Sequence, residues 1–145
     1  MTPGPGGARG HRVDDHLGDA VIEAWAPDTA ACLGEALMGL ADLVAAPAAE
    51  PVAVSTHPLA TSCDEPEEAL VALLEEVIFV LDVAAEVPVR VRLAKADRGF
   101  AGTMEVVPLD AVELAGPAPK AVSYHGLEMR REEGGGWRCR VLIDL

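Results

Sequence analysis

The stretch from Lys120 to Leu145, KAVSYHGLEMRREEGGGWRCRVLIDL, constrains the fold more than any other segment. It reads as two strands joined by a polar, glycine-rich turn, Arg130-Arg131-Glu132-Glu133-Gly134-Gly135-Gly136. On the second strand, alternation places Trp137, Cys139, Val141, Ile143 and Leu145 on one face. Arg138, Arg140, Leu142 and Asp144 share the other. Such a strand needs a sheet with one face covered. Folding the hairpin about Gly134 predicts Asp144 opposite Tyr124 and His125, within about two residues of register. Lys120 falls near the same end. One end of the ladder is thus expected to gather Lys120, Tyr124, His125, Asp144 and the terminal carboxylate of Leu145.

Upstream, residues 1–10 (MTPGPGGARG) read as a disordered tail and residues 11–16 as an extended lead-in. Residues 19–26 read as a strand. Asp28 suits a helix N-cap, and Leu33, Ala36, Leu37, Leu40, Ala41 and Val44 follow at helical spacing until Pro47 ends the run. Pro51 to Thr56 reads as a short strand and 57–63 as a loop. Asp64 with Glu67 predicts a capping box. In the helix that follows, Leu70, Leu73, Leu74, Val77 and Leu81 form a stripe that Ile78, Phe79 and Val80 widen almost to a full circle. That predicts the most buried helix, ending near Glu86. Val89, Val91 and Leu93 alternate with Arg90, Arg92 and Ala94, and Asp97-Arg98-Gly99 turns the chain into a strand over 100–107. Residues 110–114 read as a short helical turn, and Gly116-Pro117-Ala118-Pro119 as a rigid spacer. The expected architecture is one α+β domain over 11–145, a two-layer sandwich with two principal helices packed on a mostly antiparallel sheet.

Composition narrows the function. A formal net charge of −13 and a pI near 4.5 leave no basic face for a phosphate backbone, so no direct nucleic-acid binding is expected. Any role in RNA metabolism would run through a protein partner. With 3% aromatic residues the core must be mostly Val, Leu and Ala. Cys32, Cys63 and Cys139 form no CxxC pair, and Cys32 and Cys139 read as packed thiols. No export signal or membrane span is visible, which makes the cytoplasm the default location.

Three motifs in order resemble the archease family. The C-terminal signature is carried by Lys120-Ala121-Val122-Ser123-Tyr124-His125, Trp137-Arg138 and Val141-Leu142-Ile143-Asp144-Leu145. His16-Leu17-Gly18-Asp19, running into Ala20–Trp25, resembles the N-terminal signature, and Leu73 to Asp82 is similar to the central helix. Gly18 stands where an alanine is usual, and Val21 where a glycine is common. The resemblance implies a divalent metal held by Asp19 and Asp144, joined by a backbone or C-terminal oxygen of Leu145. An all-oxygen set suits calcium, or magnesium or manganese, better than zinc. His16, Lys120, Tyr124 and His125 would support the metal or touch a partner. Glu76 and Asp82 match family positions on the helix but stay outside this set, Asp82 being first in reserve. The implied function is that of a protein cofactor for the tRNA-splicing or RNA-repair ligase RtcB, promoting guanylylation and multiple turnover without catalysing ligation.

Spacing alone leaves blander readings open. Asp19, Asp144 and Lys120 also read as solvated strand ends, and His16 and His125 as hydrogen-bonded structural histidines. No GxGxxG, P-loop, GxSxG or HExxH is present, and no serine or cysteine sits in a nucleophile motif. Two other functions remain: an acidic, chaperone-like interaction module for RNA-modifying enzymes, and a metal-dependent hydrolase using His16, Asp19, His125 and Asp144.

Overall fold

From Asp19 to Ala26 half-buried and buried residues alternate without a break, which fixes this stretch as a strand with one face on the core. The computed structural model describes residues 8–16, 18–46 and 54–145, with residues 15 and 16 described in backbone only. The chain runs β1 (Gly10–His16), β2 (Asp19–Ala26), α1 (Thr29–Val44), β3 (Ser55–Thr61), α2 (Pro66–Phe79), β4 (Glu86–Lys95), β5 (Phe100–Pro108), β6 (Ala121–Arg131) and β7 (Trp137–Asp144). The expected tail over residues 1–10 lies mostly outside the described residues, but Arg9 already pairs with Glu35 at 2.6 Å.

The α+β class is as expected, but the strands form two antiparallel sheets rather than one. The first has the order β1-β2-β7-β6 and the second β3-β5-β4. Helix α1 packs on β1, β2 and β7 of the first sheet and on β4 of the second. It therefore buries eleven of its sixteen residues, whereas α2 buries six of fourteen. This reverses the expectation that α2 is the more buried helix: a helix held between two sheets has little free surface left. The core is almost wholly aliphatic, and no charged or polar residue is buried among the described residues. Cys32 and Cys139 are packed within it. The Cys32 Sγ donates to the Ala24 carbonyl oxygen at 3.6 Å, and the neighbouring Cys139 thiol, then burial, push the Cys32 pKa up, which disfavours the thiolate.

Local chemistry explains the remaining departures. Asp28 caps α1 as expected, accepting from the Ala31 N–H at 2.8 Å. At α2 the cap is Glu65, which accepts from the Glu68 N–H at 3.0 Å. Asp64 instead accepts from the Gly99 N–H and from Lys95, contacts that lower its pKa, the Gly99 bond most. The α-helical part of α2 stops at Phe79 and continues as a π-helical turn over Val80–Ala84, with Ala85 left-handed at φ 53°. The strand expected at 51–56 begins instead at Ser55 and takes in most of the expected loop; residues 51–53 lie outside the described residues. With Pro58 inside it and Leu59 its one buried residue, β3 shows no alternation. It is tolerated as an edge strand.

His11 fastens β1 to α1. Its Nδ1 donates to Glu35 at 2.8 Å and its Nε2 to Asp42 at 2.6 Å. The Asp42 bond, then the Glu35 bond, raise the His11 pKa from 6.5 to about 9. Glu35 is lowered, first by His11 and then by Arg9. Because the His11 pKa rises on folding, its contribution is complete below pH 6.5 and is lost as pH rises through 9. At the acid end, it fades as Glu35 becomes protonated. Denaturant unfolding of His11→Ala against wild type should show a deficit of about 1–2 kcal/mol near pH 6, after allowing for solvent screening. The deficit should vanish near pH 10; one that does not change with pH would exclude a charged His11.

Candidate functional site

The charged residues of β2 and β7 lie on the sheet face away from the helices, whereas His11 of β1 points to α1. At one end those charges are paired. Arg12 meets Glu23 at 2.7 Å and Arg138 meets Glu132 at 2.7 Å, with the Arg138 guanidinium stacked 5.1 Å from the Trp25 ring centre. At the other end no ion pair forms among the described residues. His16 pairs in register with Asp19, Asp19 with Asp144, and Asp144 with Ala121, so one row crosses all four strands. The Leu145 N–H donates to the Gly18 carbonyl oxygen at 3.0 Å. The alternation of an antiparallel ladder then makes Asp19–Asp144 the close, non-hydrogen-bonded kind of pair, with Cα atoms about 4.5 Å apart. Like charges placed directly opposite each other destabilise a sheet. Neither aspartate has an ion-pair partner among the described residues.

The hairpin supplies one neighbour expected from sequence and withholds two. Lys120 is exposed, and its N–H donates to the Asp144 carbonyl oxygen at 2.7 Å. Tyr124 and His125 do not face Asp144. The register runs evenly from Ala121↔Asp144 to Ser123↔Leu142 and resumes only at Glu128↔Arg140, leaving residues 124–127 opposite Val141 alone. Gly126 at φ 71° turns this bulge, and the Ser123 hydroxyl accepts from the His125 N–H at 3.1 Å. Tyr124 is therefore 69% exposed, on a protrusion beyond the aspartate row. A glycine able to adopt positive φ was the only sequence signal for this.

Among the described residues no group of three or more His, Cys, Asp or Glu side chains converges as a metal site. Asp19 and Asp144 are the residues able to hold a cation here, with main-chain oxygens nearby. Beside them lies a groove lined by Lys120, Glu75 and Asp82 together with apolar residues of α2. Glu75 has no sequence signal that marks it as a site residue; Asp82, the first reserve by resemblance, lines the groove, and Glu76 does not.

Fold and site together define a small, acidic α+β domain with a carboxylate pair at one sheet end that has no ion-pair partner among the described residues. The model of the archease protein family (MTH1598/TM1083) matches residues 11–145. A Mycobacterium tuberculosis protein named "Probable protein archease" is 38% identical over 97% of this chain and 78% of its own length. Two solved structures share the fold. Methanobacterium thermoautotrophicum protein 1598 has a TM-score of 0.67 at 22% identity, covering 94% of this chain and 99% of its own. An archease from Thermotoga maritima, described as a possible chaperone, has a TM-score of 0.56 at 15% identity, covering 91% and 94%. The chain belongs to the archease family.

Proposed function

We propose that this chain is a protein cofactor, not itself an enzyme, that activates an RtcB-type RNA ligase by promoting the ligase's guanylylation and repeated turnover. In this reading a divalent cation, calcium in the first instance, sits at Asp19 and Asp144. The observation that carries it is the in-register pairing of two aspartates with no cation partner among the described residues. Two carboxylates suit a hard cation that keeps most of its water better than they suit zinc. Leu145 can add a main-chain oxygen, and a bound cation would neutralise the sheet end while leaving positions open for a partner's oxygens. Such a sparse set predicts weak binding by the isolated protein, with a Kd of about 10⁻⁴–10⁻³ M. Lys120 is positioned to contact the partner. Membership in the family supports the ligase as that partner.

The test is single-turnover guanylylation of the cognate ligase. Catalytic amounts of wild-type protein should accelerate it, and Asp19→Ala should lose at least about tenfold of the acceleration. No acceleration by wild type would sink the reading. In that case the net charge of −13 favours an acidic interaction module, in keeping with the chaperone description of the Thermotoga relative. That alternative predicts broad, salt-sensitive binding to basic proteins. A hydrolase using His16, Asp19, His125 and Asp144 is disfavoured because the bulge carries His125 out of the aspartate row.

A further inference from the structure

The groove beside the aspartate row has a volume of about 620 Å³. Its apolar lining comes from Val44, Ile78, Phe79, Leu81, Leu109 and Pro119. Glu75 and Asp82 line it from the helix side and Lys120 from the strand side. None of these three charges has an ion-pair partner among the described residues. Phe79 is 53% exposed and Val83, in the adjoining π-helical turn, is 66% exposed, while Val80 and Leu81 between them are buried. Closing the backbone over five residues shifts the apolar stripe, so that part of it leaves the core and points to solvent. An aromatic side chain held out at a groove with charges of both signs is costly for solubility and suited to recognition.

We propose that this groove docks a segment of a protein partner presenting one large apolar side chain, with Arg or Lys on the flank facing Glu75 and Asp82 and an acidic residue on the flank facing Lys120. Charge complementarity selects this occupant. The helix side carries two carboxylates, the strand side one ammonium, and the net charge of −13 draws basic segments toward the domain. Apolar contact provides affinity and the charges set the direction in which the segment lies. Lys120 links the groove to the aspartate row, because its N–H is bonded to the Asp144 carbonyl oxygen at 2.7 Å. A segment seated here lies on the helix side of the sheet end whose other face carries Asp19 and Asp144. The identity of the partner protein rests on the ligase reading above; the chemistry of the segment does not.

The experiment is titration of the cognate ligase with wild type, Phe79→Asp and the double variant Glu75→Lys/Asp82→Lys, followed by calorimetry and by guanylylation. All three substitutions lie at exposed positions, and circular dichroism checks that folding is intact. Phe79→Asp should raise the Kd at least about 30-fold. The charge-reversed variant should bind about tenfold more weakly at low salt, the gap closing at high salt. Full acceleration should return when Phe79→Asp is supplied at concentrations that restore occupancy. Wild-type affinity in Phe79→Asp would overturn the groove while leaving the ligase reading intact. Tighter binding by the charge-reversed variant would overturn the stated occupant. No binding by wild type would remove the ligase reading and this assignment together.

Discussion

Asp144→Asn is expected to leave the metal-free protein more stable than wild type while at least halving its stabilisation by calcium at a given concentration. Asp144 stands directly opposite Asp19 with no cation partner among the described residues, so the pair costs stability until something positive sits between them. Removing one charge should raise stability by about 0.2–1 kcal/mol in the presence of a chelator. For a chain of this size, that is a melting temperature higher by about 1–3 °C. Calcium at 100 times its Kd should stabilise wild type by about 2.7 kcal/mol. The variant, with affinity at least about tenfold weaker, should gain about half of that or less at the same concentration. Its acceleration of the ligase should fall with it. The opposed signs are what make the measurement decisive, since an ordinary damaging substitution lowers stability in both conditions. A variant less stable than wild type in chelator, and equally stabilised by calcium, would exclude a metal at this pair.

Gly99→Ala should be the most destabilising of the substitutions considered. Gly99 has φ 71°, and a Cβ there would lie 1.8 Å from the Thr61 carbonyl oxygen. No side-chain movement relieves a clash with backbone. The same residue donates to Asp64 and accepts from the Ala96 N–H at 3.0 Å, so the β4–β5 turn and its contact with the end of β3 would shift together. The expected cost is roughly 3–5 kcal/mol, combining a strained conformation with overpacking. That is a large share of the about 5–15 kcal/mol that holds a typical domain together. Urea unfolding should show a lower midpoint with an unchanged slope. Because the turn is not part of the aspartate row or the groove, calcium affinity per folded molecule should be unaffected. A loss under about 1 kcal/mol would show that the strand end yields easily.

The elements legible in the sequence were those whose period was strict. Alternation placed β2 and β7, the 3.6-residue spacing with Asp28 placed α1, and Asp97-Arg98-Gly99 placed the turn between β4 and β5. Asp19 and Asp144 were each legible as strand-end carboxylates, and the family resemblance joined them at one metal; their pairing as direct neighbours across β2 and β7 had no signal in the residues themselves, because no local pattern selects the neighbours of a strand. The bulge at 124–127 was missed for a related reason. Register is set by the alternating pattern, and Gly126 breaks register without disturbing which residues are apolar. Asp64 and Glu65 are adjacent acids before a helix, and the choice between them was decided by Gly99, distant in sequence. Neither the split into two sheets nor the burial of α1 could be read, since both depend on what covers each face.

The strand bearing Asp144 lies between β2 and β6, while its partner Asp19 comes from the opposite end of the described chain. The carboxylate pair therefore comes into being only with the longest-range strand pairing among the described residues, which carries the largest loop-closure cost and is favoured late in assembly. A collapsed intermediate, or a molecule whose first sheet has opened, retains both aspartates in sequence and no site in space. Under the proposed function, a partner that reads this pair would be reading whether the domain is finished.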